Sequence, residues 1–196
     1  MEKISYALGL GIGQQLKSMN IENFDIKEFS RSIEDVMAGR DTDMTAREAQ
    51  VMLSEYFQKK EKEQAEENIA KGKAYLEENG KREGVVTTTS GLQYEVLTPG
   101  GEEKYDAAKH GEAPTAEVMY KGTLVDGTVF DQSKQPIKFN IRQVIPGFTE
   151  ALKLMPVGAK WRVTIPANLA YGANGPGSIG PNSTLIFEME LISLTK

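Results

Sequence analysis

The chain of 196 residues has no cysteine, one histidine and one tryptophan. Without a thiol it can form no disulfide, no thiolate nucleophile and no cysteine-ligated zinc site, and the lack fits a reducing compartment. The single histidine, His110, stands in the polar stretch Lys104 to Pro114. A solvated surface position is expected there, and a Ser-His-Asp site would have to be built around it alone. Positive charge is also scarce. With 23 Lys+Arg against 28 Asp+Glu, net −5, no cationic face is available to follow a phosphate backbone, and nucleic acid is not an expected partner. No run is long and apolar enough to span a bilayer, and the start, Met1 to Tyr6, lacks a basic segment followed by an apolar one. A cytoplasmic location is expected if Met1 is the native start, and a periplasmic or lipid-anchored one if a leader was removed.

What is present is ordinary globular material, 39% hydrophobic and 26% charged, of a length that suits two small domains. From Ile4 the apolar residues Leu8, Ile12, Leu16 and Met19 recur at steps of four or three, the period of an amphipathic helix. Gly9, Gly11 and Gly13 interrupt it, each costing up to about 1 kcal/mol relative to alanine, which points to close approach of another helix. They do not open a phosphate loop: Gln14 follows, no strand precedes, and the segment is amphipathic. A second helix is expected from Asp25 to Gly39, with Ile26, Phe29, Ile33, Val36 and Met37 on one face and Asp25-x-x-Glu28 as a capping box.

Thr45-x-x-Glu48 caps a third helix, which runs without proline to Asn79 (about 45–79), roughly 50 Å at about 1.5 Å per residue. Its start is apolar (Ala49, Met52, Leu53, Tyr56, Phe57), whereas Gln58 to Asn68 is charged or amide-bearing and reads as a solvated stalk. Pairs Glu55–Lys59 and Glu67–Lys71 would support it by a few tenths of a kcal/mol each. Three short apolar faces in fewer than sixty residues make a thin core, and sharing that core between two chains would complete it. Met1, Met19, Met37, Met44 and Met52 lie here; core packing is their ordinary role, an adaptable protein-binding surface the alternative.

Residues 80–91 change from helix formers to small and β-branched residues, which sets a boundary between domains 1–84 and 85–196. Strands are expected at Leu92 to Leu97, Thr115 to Leu124, Thr128 to Phe130, Ile137 to Ile141, Lys160 to Ile165 and Thr184 to Leu194. A turn at Asp126-Gly127 joins two of them, and one short helix starts near Pro146 or Gly147. The fold class is α+β: a helical N-terminal part with a long connecting helix, then an antiparallel sheet wrapped on one short helix. Between residues 117 and 187 stand Val118-Met-Tyr120-Lys-Gly122, Asp126-Gly-Thr-Val-Phe130-Asp131, Val144-Ile145-Pro-Gly-Phe148, Ala170-Tyr171-Gly172 and Ser183-Thr-Leu-Ile-Phe187. These aromatic and aliphatic groups, punctuated by glycine and proline, suit an apolar binding pocket better than a hydrolytic or redox site. Phe139, Trp161, Val163 and Ile165 read as ordinary sheet core.

In these motifs and their order, residues 90–196 resemble an FKBP-type peptidyl-prolyl cis/trans isomerase domain, and residues 1–84 resemble the helical N-terminal domain of the bacterial macrophage-infectivity-potentiator-like members. The resemblance implies a cofactor-free and metal-free isomerase that accelerates proline-limited folding, with chaperone activity; the alternative is a non-catalytic dimeric chaperone or scaffold that binds proline-containing segments. It implies a cavity lined by Tyr120, Phe130, Val144, Ile145, Phe148 and Phe187, with Phe148 as the floor. The Ile145 N–H and Tyr171 hydroxyl would donate to substrate carbonyls, Asp131 would orient Tyr120, and Ile179 would sit on a flexible loop over the pocket. Ile137 stands where the family often has an aromatic, and Phe148 where it often has tryptophan. The partners implied are unfolded or proline-containing polypeptides, a second copy bound through residues 1–57, and macrolides such as rapamycin or tacrolimus.

Overall fold

The computed structural model describes residues 2–19 and 21–196, so Met1 lies outside the described residues. The chain divides into two compact units, Met1–Ser54 and Glu55–Lys196. The first holds α1 (Glu2–Ser18), α2 (Ile26–Ala38) and the start of α3 (Ala46–Gly80). Helix α2 begins where the Asp25 carboxylate accepts the N–H groups of Lys27 and Glu28, and ends at Gly39 in the left-handed region (φ 64°). The expected capping box is only half made: Glu28 turns away to Arg31 at 2.6 Å. At α3 it is complete, since Glu48 accepts the Thr45 N–H at 2.7 Å and Thr45 Oγ1 accepts the Glu48 N–H at 3.2 Å.

No described side chain of this first unit is buried. Ile4, Leu8, Ile33 and Val36 are 68, 64, 42 and 68% exposed, and nothing among the described residues lies within 4 Å of the space over Gly9, Gly11 or Gly13. The expected core role of Met19, Met37, Met44 and Met52 is therefore not met within one chain, because the three helices bring no common interior to cover them.

In the second unit the strands are β1 (Val85–Thr87), β2 (Gln93–Thr98), β3 (Thr115–Leu124), β4 (Val129–Gln132), β5 (Ile137–Asn140), β6 (Lys160–Ile165) and β7 (Leu185–Thr195). Every pairing is antiparallel, in the order β1-β2-β6-β7-β3-β4. Strand β5 shares the outer edge of β3 with β4: Thr115 to Val118 pair with β5, and Lys121 to Thr123 with β4. Alternate residues Trp161, Val163 and Ile165 on β6, and Leu185, Phe187, Met189 and Leu191 on β7, face inward. They pack on Phe148, Ala151 and Leu152 of α5 (Pro146–Leu154), which the sheet wraps. Gly147 permits this approach, because a Cβ there would lie 2.4 Å from Ile165 Cγ2.

The α3 helix is continuous, as its pattern indicates, with Lys71 on Glu67 at 2.8 Å and Lys59 facing Glu63 at 3.8 Å. The stretch Gln58 to Asn68, expected as a solvated stalk, is mostly exposed, whereas the last three turns of the helix beyond it are seated on the sheet. There Gly72 is buried against Thr184, and buried Asn79 donates to Gln93 Oε1 at 2.8 Å while Gln93 donates to the Leu76 carbonyl at 2.9 Å. The compositional change at 80–91 marks the step from α3 to β1, whereas the compact units divide inside α3. His110 is also not solvated. It ends a short helix, α4 (Ala107–His110), is 4% exposed, accepts the Asp106 N–H at Nδ1 (3.1 Å) and places Nε2 3.6 Å from Glu103.

Candidate active site

The split edge of β3 builds the site. Tyr120 stands between the β5-paired and β4-paired halves, so no strand neighbour takes its outward backbone groups. Ser133 does so instead: its Oγ accepts the Tyr120 N–H at 2.9 Å and its own N–H donates to the Tyr120 carbonyl at 2.9 Å. With Tyr120 fixed, the aromatic rings close around it. Its centroid lies 5.8 Å from Phe139, 6.1 Å from Phe148 and 6.2 Å from Phe187. Phe187 meets Phe148 edge-on at 5.2 Å and 82°, and Phe130 at 5.5 Å and 87°. Such T-shaped contacts add about 0.5–1.5 kcal/mol each beyond their buried area. Phe148 and Phe187 are 5% exposed and form the base; Tyr120, Phe130 and Phe139 are half-buried and form walls.

Few polar groups face this basin. The Tyr120 hydroxyl donates to Asp131 Oδ2 at 2.6 Å. Burial, and then that bond, push the phenol above its ordinary pKa. Tyr120 is thus a hydrogen-bond donor over the whole neutral range and no base. Tyr171, 42% exposed, is near enough to Tyr120 to act on its titration. Ile145 caps α5 in extended conformation ahead of Pro146; its carbonyl accepts from Thr149, and no protein acceptor among the described residues takes its N–H. A donor at a helix start, free and flanked by apolar groups, can bind a carbonyl.

The structure thus brings Tyr120, Phe130, Phe148 and Phe187 into one cluster, ties Asp131 to it, and packs Val144 and Ile145 against the same core. Ile179 is not a free loop tip: it is 8% exposed within that core, its N–H bonded to the Pro176 carbonyl at 3.0 Å. Ile137 pairs with Val118 at the start of β5 and is half-buried, but it stands outside the apolar set packed on the core, which Phe139, two residues on along the same face, joins. Phe139, expected as plain core, is a wall residue, and Ser133 is a further residue of the site, bracing Tyr120. For Phe139 the signal lay in its strand alternation; for Ser133 there was none. Trp161 is sheet core as expected, stacked on Tyr94 at 4.1 Å. A surface hollow of about 690 Å³ lies along α5 between Arg142 and Leu154, and Val144 is the member of the apolar set that lines it.

Comparison with known proteins supplies independent findings. Residues 1–96 match the family described as the domain amino terminal to FKBP-type peptidyl-prolyl isomerase, and residues 104–192 match FKBP-type peptidyl-prolyl cis-trans isomerase. The chain is 42% identical to the outer membrane protein MIP of Legionella longbeachae, over all of this chain and 86% of that protein. It is 40% identical to the FKBP-type 22 kDa peptidyl-prolyl cis-trans isomerase of Escherichia coli, over 97% of this chain and 93% of that one. The crystal structure of FkpA from Escherichia coli superposes with a TM-score of 0.71 at 34% identity, covering 98% of this chain and 95% of that chain.

Proposed function

This chain belongs to the FKBP-type peptidyl-prolyl cis-trans isomerases, and we propose that it turns X-Pro bonds of other polypeptides by holding the proline ring in the basin around Tyr120. The barrier to such rotation, about 18–20 kcal/mol, is the conjugation lost when the amide twists. No nucleophile or proton transfer is required. The twisted amide is less polar than the planar one, so an apolar surround with a few directed donors favours it over the ground state. Phe148 and Phe187 form the floor, and Tyr120, Phe130, Phe139, Val144 and Ile145 the sides. The Ile145 N–H and the Tyr171 hydroxyl donate to carbonyls flanking the proline, while Asp131 fixes the Tyr120 ring. The observation that carries this reading is the set of edge-on rings closed around a phenol that donates to Asp131.

The same basin is proposed to take rapamycin or tacrolimus. The test is refolding of a protein whose slow phase is proline isomerisation, normally about 10–100 s at 25 °C. Catalytic amounts of this chain should shorten that phase, and a stoichiometric macrolide should restore it. Suppression of client aggregation that persists while the slow phase stays uncatalysed without macrolide would instead favour a non-catalytic holder of unfolded chains.

Residues 1–57 are proposed to pair with a second copy. Tyr6, Leu8, Val36 and Met37 are 78, 64, 68 and 82% exposed in one chain, and the glycines of α1 leave room for close helix approach. Sedimentation equilibrium at micromolar concentration should give twice the chain mass; a folded monomer would end this part of the proposal.

A further inference from the structure

Resting on the isomerase reading above, we infer that Asn68 of α3 is a positioning residue for the pocket, bracing from outside the segment 171–183 that carries Tyr171 and Ile179. This segment contains Gly172, Gly175, Gly177 and Gly180, three of them with positive φ (57°, 51° and 72° at 172, 177 and 180). So many glycines give a chain that local preference does not hold in one shape. It is folded back on itself so tightly that a Cβ on Gly175 would lie 1.6 Å from the Gly180 carbonyl oxygen. Its own bonds are short-range: Asn174 N–H to the Tyr171 carbonyl at 3.2 Å, Ile179 N–H to the Pro176 carbonyl at 3.0 Å, Asn182 N–H to the Gly172 carbonyl at 2.7 Å, and Ser183 Oγ to the Ile179 carbonyl and, at 3.3 Å, the Gly180 carbonyl.

The external support is the Asn68 amide. Its Nδ2 donates to the Pro181 carbonyl at 2.7 Å and to Ser183 Oγ at 3.3 Å, in a part-buried setting. Ser183 Oγ in turn holds the Ile179 carbonyl, and Asn182, between the two acceptors of Asn68, holds Gly172 beside Tyr171. One turn on, buried Gly72 lets α3 lie against Thr184, so the helix cannot drift from the segment. An unbroken series of bonds therefore runs from the helix to the two residues that border the basin from this side. Asparagine suits the place because its NH₂ group offers two protons to acceptors on either side of Asn182. The consequence is preorganisation: with α3 seated, the Tyr171 hydroxyl and Ile179 are held ready and need not be ordered by the substrate.

The experiment compares the full chain with Asn68→Ala and with the isosteric Asn68→Asp, which keeps the shape but removes both donated protons. Amide hydrogen exchange at Ile179 and Asn182 should rise by about three- to thirtyfold, as expected for losing one or two hydrogen bonds. Exchange at Val163, on the far strand β6, should stay unchanged. At a temperature well below the melting transition, kcat/KM for a short proline peptide should fall about three- to tenfold in both variants. Unchanged exchange at Ile179 and Asn182, or wild-type kcat/KM despite faster exchange there, would overturn the positioning role even with a fully active wild type. A wild type without isomerase activity would overturn the functional reading instead, whatever the exchange shows.

Discussion

Gly122 on β3 is where the sheet leaves space for a pocket wall, and Gly122→Ala should close that space. The new Cβ would lie 2.5 Å from Phe130 Cζ, 2.8 Å from Phe130 Cε2 and 3.0 Å from Phe187 Cε1. Carbon atoms rest at about 3.5–4.0 Å, so the Phe130 ring has to retreat by about 1 Å or more. Phe187 is 5% exposed and enclosed by Phe148 and Tyr120, whereas Phe130 is half-buried and free to swing outward. The Phe130–Phe187 edge contact is then lost, and residual overpacking of about 1–3 kcal/mol is shared with the relaxing ring. Urea denaturation should show a loss of about 1–2 kcal/mol, which a stable sheet survives. The effect on catalysis should be larger in proportion. A displacement of about 1 Å in a positioning wall can cost up to about a hundredfold in rate, and at least a tenfold fall in kcat/KM for a proline peptide is expected. The double variant Gly122→Ala, Phe130→Leu should regain stability but not activity. A folded Gly122→Ala protein with wild-type kcat/KM would refute the assignment of Phe130 to the pocket.

Other consequences can be checked separately. Trp161 is buried with no acceptor for Nε1 among the described residues, a deficit of about 1–3 kcal/mol; Trp161→Phe should therefore stay within about 1 kcal/mol of wild type in urea denaturation, far from the usual cost of a large core truncation. Arg162 bonds Glu188 at 2.8 Å and Glu95 at 3.2 Å, and its bond to Glu188 holds that carboxyl below the usual glutamate range. A depressed carboxyl stabilises the fold above its unfolded pKa, and the contribution is lost as pH falls through the folded value. The stability lost between neutral and acid pH, read from urea denaturation, should thus be larger in wild type than in Arg162→Met, and acid unfolding followed by circular dichroism should begin at higher pH in the variant, which lacks the contribution from the start. The raised Tyr120 phenol has the opposite sign: its stabilisation is complete below the ordinary tyrosine pKa and fades above it. Ultraviolet titration should therefore show one tyrosine ionising after the rest, and Asp131→Asn should bring it down.

Much of the fold could be read from local chemistry. Asp25 and Gly39 frame α2, Thr45 and Glu48 start α3, and β3 and β6 fall at the expected residues, because capping and period-two burial are written in neighbouring positions. The omissions have a different character. Strand β1 is three residues paired with β2, and α4 is a single turn. His110 looked solvated because its surroundings in sequence are polar, yet it is covered by Tyr105 from the same loop. Phe139 lay on the predicted inward face, but its place in the pocket depends on β3 sharing one edge between β4 and β5, a long-range arrangement. The seat of α3 was hidden by its charged composition. Its signal was the spacing of Asn68, Gly72, Leu76 and Asn79, two amides, a glycine and one leucine on one helical face, the glycine costing helix stability without local return.

The central claim is that an apolar basin around Tyr120, without any proton transfer, rotates the prolyl bond. Two-dimensional NMR exchange between the cis and trans forms of a Leu-Pro peptide, with catalytic amounts of protein, tests it most directly. The exchange rate should rise in proportion to protein concentration, be equal in H₂O and D₂O, and return to the uncatalysed rate with one equivalent of rapamycin. A folded protein that leaves the exchange rate unchanged, or a rate that drops severalfold in D₂O, would contradict the account.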